Sequence, residues 1–161
     1  MKNTRRDFLS GMALTGAAAV VAGCMSPRFG SGGSMAGFAV PAMKRVRVAM
    51  VGLGSRGFGA LMRLSLIPGI EITALCEIDA DKIAKSQKLL AEKGFERAKE
   101  YLGPESYKRL ADDGVADVFY NSTPRDLHTE LNVGAMKRGM HVLTEVPSGR
   151  TVEECWETVE T

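Results

Sequence analysis

From Lys44 onward the chain alternates between short apolar runs and longer stretches whose apolar residues recur at helical spacing. Val46-Arg47-Val48-Ala49-Met50-Val51 reads as a strand, and residues 56–66 read as a helix that Pro68-Gly69 breaks. Residues 70–76, β-branched and apolar, form a second strand. Residues 79–93 are a charged amphipathic helix ending at Gly94, with Asp79 placed as its N-cap. Residues 117–122 are a third strand, 127–138 a helix that stops at Gly139, and 141–145 a further strand with His141 at its start. A last helix begins at Thr151, with Glu153 and Glu154 in the first turn and Trp156 expected to pack. Residues 95–113 carry no clear period and are expected to be an irregular connection with a short helix near Tyr107. Strands separated by helices imply an α/β fold, a doubly wound parallel sheet with right-handed crossovers. The last helix should lead into another strand, so the sheet is expected to be cut short before its last strand.

The first 43 residues follow a different pattern. Thr4-Arg5-Arg6-Asp7-Phe8-Leu9 matches the twin-arginine export signal, and the weakly apolar run that follows, residues 11–22, is shorter than the roughly 20 residues a bilayer span needs. Val21-Ala22-Gly23-Cys24 resembles a bacterial lipobox, which makes Cys24 a candidate for lipidation and a membrane anchor. Gly and Ser dominate residues 26–37, as in a tether. The expected organisation is a signal peptide over 1–23, a flexible tether over 24–43 and a folded domain over 44–161. Such a chain would be periplasmic or held at the cell envelope. The twin-arginine route carries folded passengers, which suits a protein that takes up a cofactor before export.

Composition narrows the function classes. At 45% apolar and 25% charged residues, the 161-residue chain has enough apolar content for a packed core. It holds 21 basic and 19 acidic residues; Lys2, Arg5, Arg6 and Asp7 fall in the leader, leaving 18 of each. A neutral domain gives no electrostatic footprint for nucleic acid. The basic run Lys44, Arg45, Arg47 flanks a strand and reads as a solvated edge. Besides Cys24, only Cys76 and Cys155 remain, which is neither a disulfide framework nor a metal-ligand cluster.

Directly after the first strand stands Gly52-Leu53-Gly54-Ser55-Arg56-Gly57, a G-x-G-x-x-G sequence opening a helix. Gly52 permits a tight turn, Gly54 lets backbone approach a diphosphate, and Gly57 lets helix and strand pack closely. The helix start offers amide N–H groups and a partial positive charge. Glu77 stands at the end of the second strand, where a carboxylate accepts hydrogen bonds from ribose hydroxyls and repels a 2′-phosphate. The set points to a Rossmann-like domain binding NAD in preference to NADP. After the third strand, Thr123 either bonds the cofactor through its hydroxyl or ends the strand. His128 either packs at a helix start or contacts the nicotinamide side. Tyr101, Tyr107 and Tyr120 carry usable hydroxyls, but nothing in the sequence places them in a cleft.

The glycine fingerprint, then Asn121-Ser122-Thr123-Pro124 with His128, then Glu145-Val146-Pro147 resemble the Gfo/Idh/MocA family from about Lys44 to the last residue. The resemblance implies an N-terminal Rossmann domain followed by an α/β domain that supplies much of a carbohydrate site. Sugar dehydrogenases of that family carry Glu-Lys-Pro where this chain has Glu145-Val146-Pro147, and valine cannot assist the proton transfer that lysine does. Valine there, with the following Thr151-Val152-Glu153-Glu154-Cys155-Trp156, is similar to the glycoside hydrolase family 109 branch. That likeness implies a retained NAD, transient oxidation of the sugar at C3, elimination, water addition and re-reduction, on terminal N-acetylgalactosamine. It places cofactor contacts at Ser55, Arg56, Glu77, Arg125-Asp126-Leu127-His128, Glu145 and Val146, with Arg125 where the branch has tryptophan.

The expected function is therefore the NAD-binding domain of a carbohydrate-active oxidoreductase or glycosidase, inactive alone and with its catalytic groups in a further domain. A homo-oligomer is a further possibility. The alternatives are an NAD-dependent sugar dehydrogenase and a non-catalytic, lipid-tethered dinucleotide-binding module.

Overall fold

The computed structural model describes residues 39–161; the twin-arginine leader, Cys24 and most of the tether lie outside the described residues. The first strand, β1 (Val46–Val51), is buried along most of its length because helices cover both faces of the sheet. It is followed by α1 (Ser55–Leu64), β2 (Ile70–Glu77), α2 (Ala80–Glu92), β3 (Lys99–Leu102), α3 (Ser106–Asp112) and β4 (Val118–Asn121). A single 3-10 turn (Arg125–Leu127) then leads into α4 (His128–Met136), β5 (His141–Thr144) and α5 (Val152–Glu160). All strand pairs are parallel, in the order β3-β2-β1-β4-β5.

Alternate side chains feed two cores. Val48, Met50, Leu75 and Ile72 pack with Leu61 of α1 and Leu90 of α2 on one face. Ala49, Val51, Cys76 and Phe119 pack with Leu110 of α3 and Leu131 of α4 on the other. Each fully buried leucine contributes about 2 kcal/mol from apolar burial. The helix ends follow local chemistry: Asp79 accepts from the Asp81 amide at 2.9 Å and Thr151 from the Glu154 amide at 3.2 Å, as N-caps do. The basic run beside β1 is paired: Arg45 meets Glu71 at 2.7 Å and Arg47 meets Asp117 at 2.6 Å.

Two expectations need correction. Residues 95–113 are not an irregular connection: they contain β3 as well as α3, the short helix around Tyr107. Lys-Glu-Tyr-Leu at the sheet edge buries only Tyr101, so its apolar signal is one residue deep. Trp156 does not pack into the domain; it is 60% exposed on α5, beside exposed Val152 and Val159.

Candidate functional site

The sheet's strand order reverses between β1 and β4, and the loops leaving the carboxyl ends of β1, β2, β3 and β4 surround a cavity of about 380 Å³. Such a crevice is where open α/β sheets bind ligands. Gly52 turns the chain out of β1 at φ +83°, a conformation costly for a residue with Cβ. An added Cβ there would also lie 2.7 Å from the Ser122 carbonyl oxygen. At Gly57 an added Cβ would lie 1.9 Å from the Gly52 carbonyl oxygen, so helix and bend touch backbone to backbone. Gly54 differs, since a Cβ there would meet nothing within 4 Å and Gly54 lines the cavity. It also starts α1 without a side-chain cap, so the first-turn amides are not covered by a side chain. Open space above uncapped helix amides fits a diphosphate.

Glu77 closes one side of this bend. Its Oε2 accepts from the Leu53 amide at 2.6 Å and its Oε1 from the Ile78 amide at 2.8 Å. The two backbone donors fix the carboxylate at the cavity wall, and each oxygen keeps a lone pair for a ribose hydroxyl. On the other side Ser122 donates to the carbonyls of Gly52 at 2.7 Å and Val51 at 3.1 Å, joining the β4 loop to the bend. The Thr123 amide donates to Asn121 Oδ1 at 3.1 Å and its hydroxyl to the same atom at 2.7 Å, leaving the hydroxyl oxygen to accept from a ligand.

The structure thus gathers Gly52, Gly54, Ser55, Arg56, Glu77 and Thr123 around one cavity, with Gly57 beneath it. Arg125, Glu145 and Val146 are not in its lining. Arg125 is exposed on the 3-10 turn, and Val146, joined to Pro147 by a cis bond, is 88% exposed. Glu145 accepts from the Tyr120 hydroxyl at 3.1 Å, and burial, with that bond, pushes the Tyr120 hydroxyl pKa up. His128 answers its open question in favour of packing: it is buried, and both ring nitrogens face backbone carbonyls of the domain, so the ring has no polar atom left for nicotinamide.

Leu127, within the segment that the resemblance marks, lines the cavity, whereas sequence reasoning missed other lining residues, among them Ile78, Lys82 and Pro104. Tyr107 also lines the cavity, with its hydroxyl on Glu130 at 2.5 Å; burial, reinforced by that bond, pushes it up to about 12. Ile78 alone had a signal, as an apolar residue directly after the acid. Cys76 borders the cavity, but burial pushes its thiol up to about 11, so it is no nucleophile at neutral pH.

A parallel sheet switching direction at a glycine bend, with a carboxylate fixed at the end of the second strand, defines a Rossmann-type dinucleotide-binding domain. The sequence profile of the Gfo/Idh/MocA oxidoreductase family, NAD-binding Rossmann fold, matches residues 46–161. The chain belongs to that family, and this domain binds NAD. It is 42% identical over 125 residues to an alpha-N-acetylgalactosaminidase of Bacteroides fragilis, covering 78% of this chain and 29% of that protein. It is 37% identical over 164 residues to a glycosyl hydrolase family 109 protein of Shewanella amazonensis, covering 98% of this chain and 36% of the other. The chain therefore spans about a third of the length of these curated relatives. The crystal structure of myo-inositol 2-dehydrogenase from Lactobacillus plantarum superposes with a TM-score of 0.61 at 28% identity, over 72% of this chain and 32% of the other. Scyllo-inositol dehydrogenase from Lactobacillus casei, with bound NAD(H) and scyllo-inositol, reaches 0.62 at 21% identity over 71% and 32%. At that identity the likeness shows the fold alone.

Proposed function

We propose that this chain is the NAD-binding part of a glycosidase of the family 109 kind, acting on terminal N-acetylgalactosamine. Its 42% identity to the Bacteroides fragilis alpha-N-acetylgalactosaminidase carries the reading. Val146 supports it, because the side chain beside Glu145 cannot move a proton as the lysine of sugar dehydrogenases does. Bound NAD supplies temporary storage of a hydride taken from sugar C3 and later returned, so hydrolysis leaves no net NADH.

In this reading the Ser55 and Arg56 amides of the glycine bend hold the diphosphate. Glu77 accepts from the adenosine ribose, and its charge disfavours a 2′-phosphate. Thr123, Arg125 and the backbone of Glu145 and Val146 flank the nicotinamide side. Acid–base work on the sugar falls to groups outside these residues. The test is a hybrid in which residues 44–161 replace the matching domain of the Bacteroides fragilis enzyme. It should release terminal N-acetylgalactosamine without net NADH; NADH in proportion to product would instead mark a sugar dehydrogenase.

The proposal includes export by the twin-arginine route and anchoring to the envelope membrane through Cys24. Support comes from Arg5-Arg6, the short apolar run and the small residues before Cys24. Mass spectrometry of the exported protein should find a diacylglycerol adduct on Cys24. An unmodified form free in the periplasm would overturn the anchor.

A further inference from the structure

The cavity wall holds a cation that nothing in the fold accounts for. Among the lining residues only Arg56, Glu77 and Lys82 are charged, two cations against one carboxylate. Arg56 belongs to the glycine bend, whereas Lys82 belongs to the first turn of α2, just beyond the Asp79 cap. A helix start is the wrong end for a lysine, because the partial positive charge there repels an ammonium. Among the described residues Lys82 Nζ has one ion pair, with Asp79 Oδ2 at 3.6 Å, too long for a hydrogen bond. The two side chains are 44% and 43% exposed, and a pair so open to water stabilises little. Asp79 caps α2 through its other oxygen, which accepts from the Asp81 amide, so Lys82 can leave Asp79 without uncapping the helix.

Glu77 locates the group that such a cation could meet. Its carboxylate is fixed by the Leu53 and Ile78 amides, and a ribose bound there turns its 2′ and 3′ hydroxyls towards it. The wall continues from Glu77 through uncharged Ile78 to Lys82. NAD offers this stretch no anion, since its diphosphate lies at the glycine bend and its ribose hydroxyls are neutral. A phosphate on the 2′ oxygen would bring one. Lysine carries several N–H donors on a long flexible stem, which lets it follow a phosphate without a preset angle.

We propose that Lys82 is a specificity-determining residue that recognises an adenosine 2′-phosphate, so that the domain takes NADP as a second, weaker ligand. Glu77 repels the same phosphate, and the balance of the two side chains sets the ratio between the cofactors. The inference rests on the dinucleotide reading of the site and adds to it a residue that acts on one cofactor only.

Calorimetry on the full chain with NAD and NADP tests it. The unmodified chain should bind both, NADP more weakly. Lys82→Met should weaken NADP by about fivefold to tenfold, as for the loss of one charge-assisted hydrogen bond near solvent, and change NAD by less than about twofold. Adenosine 2′,5′-bisphosphate against 5′-AMP should repeat the difference with the nicotinamide half left out. Lys82→Arg, which keeps the charge, should hold NADP affinity near that of the unmodified chain. NADP undetectable on a chain that binds NAD, an NADP affinity unmoved by Lys82→Met, equal losses for the two cofactors, or a loss in Lys82→Arg as large as in Lys82→Met would each overturn the inference. If Lys82→Met does not fold, Lys82→Gln, which keeps a polar tip, is held to the same outcomes. An unmodified chain that binds neither NAD nor NADP would overturn the dinucleotide reading itself, a result distinct from any failure at Lys82.

Discussion

The two sides of the crevice are built by different means. On the β1–β2 side the site is mostly backbone: a bend with Gly52 at φ +83°, an open Gly54, and one carboxylate held by the Leu53 and Ile78 amides. On the β4–β5 side it is a set of side-chain contacts, with His128 between the Thr123 and Pro147 carbonyls and the Tyr120 hydroxyl on the Glu145 carboxylate. At Gly52 and Gly57 the first side tolerates no added atom, because the walls there are main chain. The second ends in a turn whose Val146 is 88% exposed, a surface that this domain alone does not cover. One side is a cradle of main chain and one fixed carboxylate; the other is a frame held by several side-chain hydrogen bonds.

That contrast can be pressed experimentally. Gly57→Ala should destabilise the domain by about 3 kcal/mol in urea unfolding, because its new methyl meets main chain that cannot yield. Gly54→Ala should leave stability within about 0.5 kcal/mol yet weaken NAD binding, since its methyl enters only open space. Comparable destabilisation of both would remove the claim that Gly54 is kept open for a ligand.

Glu77→Arg should lower the preference for NAD over NADP by about tenfold or more in calorimetry, by exchanging an acceptor of ribose hydroxyls for a partner of a 2′-phosphate. An unchanged ratio would take Glu77 out of the ribose site.

At the opposite end of the sheet, the hydrogen bond from Arg47 holds the Asp117 carboxyl below its ordinary range, with a further backbone bond from the Arg47 amide. A depressed folded pKa means stability that is present above the unfolded value and lost as pH falls through the folded one. Asp117→Asn should therefore cost about 1 kcal/mol above about pH 5, a difference that vanishes in stronger acid. A gap that persists at low pH would show that packing, not charge, is responsible. The smallest effect belongs to Trp156→Ser, which should shift stability by no more than about 0.5 kcal/mol because the indole is exposed.

The chain's own order of residues was enough to establish β1, β2, β4, β5 and the helices between them, the glycine bend and Glu77. These depend on short-range physics: apolar period, caps such as Asp79 and Thr151, and a backbone angle that glycine adopts at little cost. β3 escaped because an edge strand of four residues with one buried side chain has almost no period to read. Tertiary structure alone decided that Lys82 and Tyr107 face the cavity, that Glu145 turns to Tyr120, and that the His128 ring meets Pro147 nineteen positions away. Those outcomes follow from which loops the sheet order sets side by side. A side chain's polar partner across such a distance is chosen by that juxtaposition, and no local pattern in the sequence encodes it.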